Sequence, residues 1–109
     1  MKVIWSQKAK ESLKRIIGYI FLSFGEKTTE KFKDKVFQTE KTLAINPNIG
    51  PKEPLLNNYP KAYRSIVVNN LNKIVYYIEN DTLHIAAIWD TRREPKTLIK
   101  DLEETEEGW

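Results

Sequence analysis

Basic side chains are the residues of this sequence best suited to chemistry. Arg64 opens one strand-like run, Lys73 opens the next, and Arg92-Arg93 follow directly after a third. Lys96 and Lys100 come shortly behind them. Arginine offers a planar fork to carboxylates and phosphates, and lysine offers a mobile point charge. Clustered, such groups could bind phosphates or a carboxylate-rich partner. If the runs pair as antiparallel strands, Arg64 and Arg92-Arg93 can lie near one another, with Lys73 placed by the register. Tyr63, Tyr76, Tyr77 and Trp89 are neighbours in sequence that could stack on bases if exposed, although strand aromatics more often fill a core. The bland reading of Arg64, Lys73 and Arg93 is that they are ordinary solvated charges at strand ends.

Other chemistries find little support. Cysteine is absent, which excludes disulfides, thiolate nucleophiles and Cys-containing zinc sites. His84 is the single histidine, and no glycine-rich phosphate loop or metal-ligand spacing occurs. No cofactor or metal is expected. On an alternating strand His84 lies opposite Leu83, Ile85, Ala87 and Trp89, which makes it a half-exposed strand residue if those four face the core.

The elements that position these residues can be read in order. Lys2 to Trp5 is a short strand, and Ser6 offers a hydroxyl N-cap to the helix that follows. Leu13, Ile16, Ile17, Ile20, Phe21 and Phe24 recur at helical spacing as one apolar stripe, and Gly25 stops the helix. A second helix runs from Glu26 or Thr28 to Ala44 or Ile45, burying Phe32, Val36, Phe37 and Leu43. Asn46-Pro47 ends it. So short a connection makes the two helices an antiparallel hairpin. A proline-rich loop over the surface leads to three strands, Tyr63 to Val68, Lys73 to Glu79 and Leu83 to Trp89, joined by asparagine-rich turns as a meander. A last helix runs from Pro95 or Lys96 to Leu102 or Glu103. The fold class is therefore α+β: an N-terminal strand, then an antiparallel helical hairpin packed on an antiparallel β-sheet, in the order β-α-α-β-β-β-α. Residues 1–109 read as a single domain, with 104–109 a frayed acidic tail.

Charge is unevenly spread. The last nine residues hold five of the 15 acidic residues and no base, so residues 1–100 carry all 18 basic residues against ten acids. A basic body this small attracts polyanions or an acidic partner. The acidic tail could lie across that surface and weaken polyanion binding. The first residues lack a signal-peptide pattern and the apolar run from Ile16 to Leu22 is too short to span a bilayer, so a cytoplasmic location with no membrane contact is expected.

Tyr63-Arg64-Ser65-Ile66-Val67-Val68, Lys73-Ile74-Val75-Tyr76-Tyr77 and the stretch from Leu83 through Asp90-Thr91-Arg92-Arg93-Glu94-Pro95 together resemble RelE/ParE superfamily toxins. The family has a basic residue entering the sheet, an "R-I-V-Y" second strand and an "R-R-x-P" ending. Asn46-Pro47-Asn48-Ile49-Gly50 resembles its "P-x-I-G" exit from the hairpin. The resemblance covers nearly the whole chain, with the distinctive residues in the last third. It implies the toxin of a type II toxin–antitoxin (plasmid stabilization) system, inhibiting growth and neutralised by a cognate antitoxin in a hetero-oligomer. RelE-like members cleave messenger RNA on the ribosome without a metal, and in that branch Arg64, Lys73 and Arg93 fall at catalytic basic positions. ParE-like members poison DNA gyrase by binding. RelE-like nucleases have a Tyr or His soon after the final arginine, where this chain reads Lys96-Thr97-Leu98-Ile99. Loss of a general acid–base costs about 10²–10⁴-fold in rate. The long hairpin also points to the ParE branch, with Arg64, Lys73, Arg92, Arg93 and Lys96 as target- or nucleic-acid-binding candidates. The alternatives are a RelE-like endoribonuclease or a detoxified relative.

Overall fold

A computed structural model describes residues 1–107, apart from the side chains of Glu104, Glu106 and Glu107. Strand β1 (Lys2–Trp5) leads into helices α1 (Gln7–Phe24) and α2 (Glu26–Ile45). Strands β2 (Arg64–Val67), β3 (Asn72–Glu79) and β4 (Thr82–Asp90) follow, then helix α3 (Pro95–Glu107). The α+β order expected from the sequence is the order observed. Among the described residues no helix is long and apolar enough to cross a membrane.

Ser6 starts α1 as expected. Its buried hydroxyl accepts the Ala9 N–H at 3.0 Å and donates to the Ala86 carbonyl at 2.9 Å, so one side chain caps the helix and ties it to β4. A single residue joins the two helices. Gly25 has φ of 88°, which side-chain-bearing residues rarely adopt; its N–H reaches Phe21 O, while its carbonyl accepts from the Thr29 N–H and hydroxyl. On α2, Phe32, Val36 and Leu43 are buried as expected, but Phe37 is half exposed. The stripe of α1 is likewise covered only as far as Ile20, and Phe21 and Phe24 stand out at the hairpin tip because the sheet ends short of it.

The sheet order is β1-β4-β3-β2. Strands β2, β3 and β4 form the expected antiparallel meander, turned at Asn80-Asp81 with φ of 53° and 60°. β1 adds to β4 in parallel, Val3 beside Leu83, so the sheet is mixed rather than purely antiparallel. The crossover through the hairpin brings β1 back in this sense.

A bulge decides which residues share a face. Val75 pairs with Ala87 but Tyr76 pairs with Ile85, leaving Ala86 as the extra residue of β4. Leu83, Ile85 and Ile88 therefore pack with Ile74 and Tyr76 beneath the hairpin. Ala87 and Trp89 lie on the opposite face with Val75, Tyr77, Leu98 and Leu102. The simple alternation that grouped Leu83, Ile85, Ala87 and Trp89 fails at that one inserted residue. The unpaired Ala86 carbonyl accepts both the Ser6 and the Thr105 hydroxyls, the latter at 3.3 Å.

Helix α3 covers this second face and runs further than Glu103. Thr105 is buried, and the helix continues to Glu107, so residues 104–107 are helical rather than frayed. Residues 108–109 of the expected tail lie outside the described residues.

Candidate binding cleft

The structure separates the basic residues that the sequence put forward as a cluster. β2 and β4 both run antiparallel to β3 and so run parallel to each other. Arg64 stands level with Tyr76 and Ile85, while Asp90 stands level with Asn72. About 13 Å of strand, four residues of β3 at roughly 3.3 Å each, lies between these levels, with Arg92 further on. The start of β2 is therefore not near the end of β4.

Arg64 and Lys73 are also committed to the fold. The Arg64 guanidinium donates to the carbonyls of Gly50 (2.7 Å) and Asn48 (3.3 Å), holding the loop that leaves α2. Tyr76 fastens the same loop, donating to Pro47 O at 2.7 Å and accepting the Gly50 N–H at 3.1 Å. Burial raises the Tyr76 phenol above its ordinary range. On the other face, the Lys73 ammonium pairs with the fully buried Glu53 carboxylate and lies over the Trp89 ring at 5.2 Å. The proline-rich loop, expected over the surface, thus sends Glu53 and Leu56 inward. His84, on that face too, stacks on Tyr77 with ring centroids 4.8 Å apart. Tyr63, Tyr76, Tyr77 and Trp89 are all core residues, so none is a platform for bases. Lys96 is exposed and paired with Glu94, and Lys100 is exposed on α3.

Arg92 and Arg93 do come together at a cavity. They edge a cleft of about 800 Å³ between the hairpin and the end of the sheet where β4 finishes. Its wall is apolar, with Ile16, Ile20, Phe32, Val68 and Ile88 at the back and Tyr19 and Phe24 towards the tip. Arg15, Lys31 and Lys35 contribute three more cations from the helices. Sequence reasoning missed these three by looking for the site on the sheet alone. For the two lysines the signal was the one-turn spacing of Lys27, Lys31 and Lys35 along α2, on a wheel position between its apolar stripe and its acids.

Two turns make the mouth of the cleft. The Asn69 side-chain oxygen accepts from the N–H groups of Leu71 and Asn72 and from the Asn72 amide, which fixes the β2–β3 turn. The Thr91 N–H (2.7 Å) and hydroxyl (3.0 Å) both donate to Leu71 O, locking the turn after β4 against it. Asp90 accepts from Arg92 N at 2.9 Å, Nε at 3.0 Å and Nη2 at 2.7 Å. These bonds, foremost that of the Arg92 side chain, hold the Asp90 carboxyl below its ordinary range. The described part of the acidic tail does not approach the cleft. Asp101 faces Lys8 at 3.9 Å in the first turn of α1, the opposite end of that helix from Tyr19 and Phe24.

Residues 3–95 match the family described as the ParE toxin of type II toxin–antitoxin systems, parDE. The chain belongs to the ParE toxin family. The match takes in both sides of the cleft and stops where α3 begins. Solved structures share the fold of this ParE-family chain. A chain of the chromosomal ParDE system of P. aeruginosa superposes with a TM-score of 0.67 at 19% identity, covering 83% of this chain and 95% of that one. The YoeB dimer of Staphylococcus aureus gives a TM-score of 0.55 at 23% identity over 80% and 92% of the two chains. The heterotetrameric YoeB–YefM toxin–antitoxin complex of the same organism gives 0.53 at 23% identity, covering 80% and 92%. Among curated proteins, none matches the chain by sequence.

Proposed function

We propose that this ParE-family chain is a toxin that arrests growth by binding a replication target such as DNA gyrase, and that a cognate antitoxin neutralises it. One observation carries the reading: five cationic side chains, Arg15, Lys31, Lys35, Arg92 and Arg93, border one apolar cleft, while Arg64 and Lys73 bond to loop carbonyls and a buried carboxylate. An apolar wall with a basic rim suits a protein segment that alternates acidic and apolar side chains. Cleavage of ribosome-bound messenger, by contrast, needs basic groups converging on one phosphate, with an acid–base partner close by. Arg64, Lys73 and Arg93 point to three separate places, and His84 stacks on Tyr77 on the face away from the cleft. The antitoxin reading rests on the family and on the fit of an acidic segment to the same rim.

Thymidine and labelled amino-acid incorporation, followed within minutes of induction, test this. Early loss of DNA synthesis is the expected result. If protein synthesis stops first and messenger is cut, the binding reading is wrong.

A further inference from the structure

Among the described residues that line the cleft, Asp90 is the single acidic one. Its side chain is 25% exposed, and it faces Arg92, whose side chain is 59% exposed. The carboxylate occupies the side-on edge of the guanidinium, Nε and Nη2, at hydrogen-bond distance on both. A surface ion pair is ordinarily worth little, but two-point geometry of this kind is the exception. Arg92 therefore presents to the cleft a cation already cancelled by its neighbour, with its best fork taken. Arg93 contributes its backbone N–H to Asp90 O at 3.0 Å, so the same residue also sets how the second arginine leaves the strand.

This cancellation weighs unequally on different ligands. Single-stranded nucleic acid binds a basic groove mainly through the release of counterions, so its affinity follows the number of available cations. An amphipathic acidic peptide draws a large part of its affinity from the apolar wall. Tyr19 and Phe24, exposed towards the tip, could stack on one or two bases, but apart from Phe32 the back of the cleft is aliphatic, so stacking compensates a strand for a lost cation only in part.

We propose that Asp90 is a specificity residue of the cleft: by closing on Arg92 it disfavours phosphodiester strands and leaves the cleft to acidic, apolar peptide. The proposal deepens the binding reading above and rests on the cleft being the partner's seat.

The test uses the full chain, a labelled oligothymidylate and a labelled peptide with glutamate and leucine at helical spacing, each titrated over a range of salt. Asp90→Asn should tighten oligothymidylate binding about fivefold at 0.1 M salt and steepen its log–log salt slope by about 0.7, the increment of one added phosphate contact on a single strand. Peptide affinity should also rise, but by less than half the gain of the oligonucleotide, because much of it comes from the apolar wall. In an Arg92→Ala background, Asp90→Asn relieves only the repulsion of the carboxylate that has lost its partner, and the added phosphate contact read in the salt slope should be absent. Asp90→Ser, which retains a side-chain acceptor for Arg92 N, should reproduce the gain and guards against a folding defect. An unchanged slope in both variants, or a slope change that persists without Arg92, overturns the proposal. So does a wild-type chain that binds oligothymidylate more tightly than the peptide. If induction of the wild type leaves growth untouched while Asp90→Asn still unmasks Arg92, the toxin reading falls and this one stands.

Discussion

Arg64 and Lys73, on neighbouring strands, project from opposite faces of the sheet. Arg64 pairs with Tyr76, whose side chain lies under the hairpin, whereas Lys73 pairs with Trp89 beneath the proline-rich loop and α3. Neither residue can share a ligand with the other. Each holds a different part of the loop between α2 and β2, and their removal should register as lost stability.

For Lys73 the loss should be large. Lys73→Met leaves the Glu53 carboxylate buried without its counter-charge, which costs about 3–5 kcal/mol. Adding Glu53→Gln removes that stranded charge and should recover most of the loss. Urea unfolding of the single and double variants checks this. A single variant as stable as the parent would show that the pair does not matter to the fold.

Arg64→Ala should cost about 1.5–3 kcal/mol, the usual worth of hydrogen bonds to a charged group, and should loosen the loop at Asn48 and Gly50. Amide exchange in residues 47–52 ought to accelerate ahead of exchange in β3. At equal folded protein, growth arrest should persist. Its loss would return Arg64 to the list of functional residues.

Gly50 is required for space. A Cβ there would meet Ser65 O at 2.5 Å and the Tyr76 hydroxyl at 2.8 Å. Gly50→Ala should destabilise by about 1–3 kcal/mol, as overpacking does. The displaced Tyr76 phenol, released from burial, should then titrate closer to its ordinary range, readable by ultraviolet absorbance in alkali.

At the cleft the expectation reverses. Arg93→Ala with Lys35→Ala should leave the melting temperature within about 2 °C of the parent, since exposed charges contribute little to stability. The same double variant should abolish growth arrest. Undiminished arrest would move the functional surface elsewhere.

Asp90 gives the acid limb of stability a definite sign. Its carboxyl is held below the ordinary range by Arg92, so the folded form binds its proton less readily than the unfolded chain. The stabilisation is present above the unfolded pKa of about 3.9 and is lost as pH falls through the lower folded value. Asp90→Asn should therefore flatten the stability profile below about pH 4 and hardly alter it on the alkaline side. Denaturation midpoints between pH 2 and 6 make the comparison.

Local physics made most of the fold legible. Ser6 as a cap, Gly25 as a one-residue hinge, Pro47 as a terminator and the Asn80-Asp81 turn each act within a few residues, so their consequences can be read in the chain. The apolar periods of α1 and α2, and the family motifs about Arg64, Tyr76 and Arg92-Arg93, fall in the same category. What lay out of reach depends on contacts distant in sequence. The bulge at Ala86 depends on the register of β3 against β4 and on hydroxyls from Ser6 and Thr105. By itself the sequence determined the element order, the hairpin, the basic character and the family. Only the tertiary structure decided that β1 joins in parallel, that Arg64 and Lys73 bond to the loop between α2 and β2, and that Arg15, Lys31 and Lys35 meet Arg92 and Arg93 around one cleft. A side chain's partners across the fold are set by strand direction and register, and one inserted residue reverses the face on which the following side chains stand.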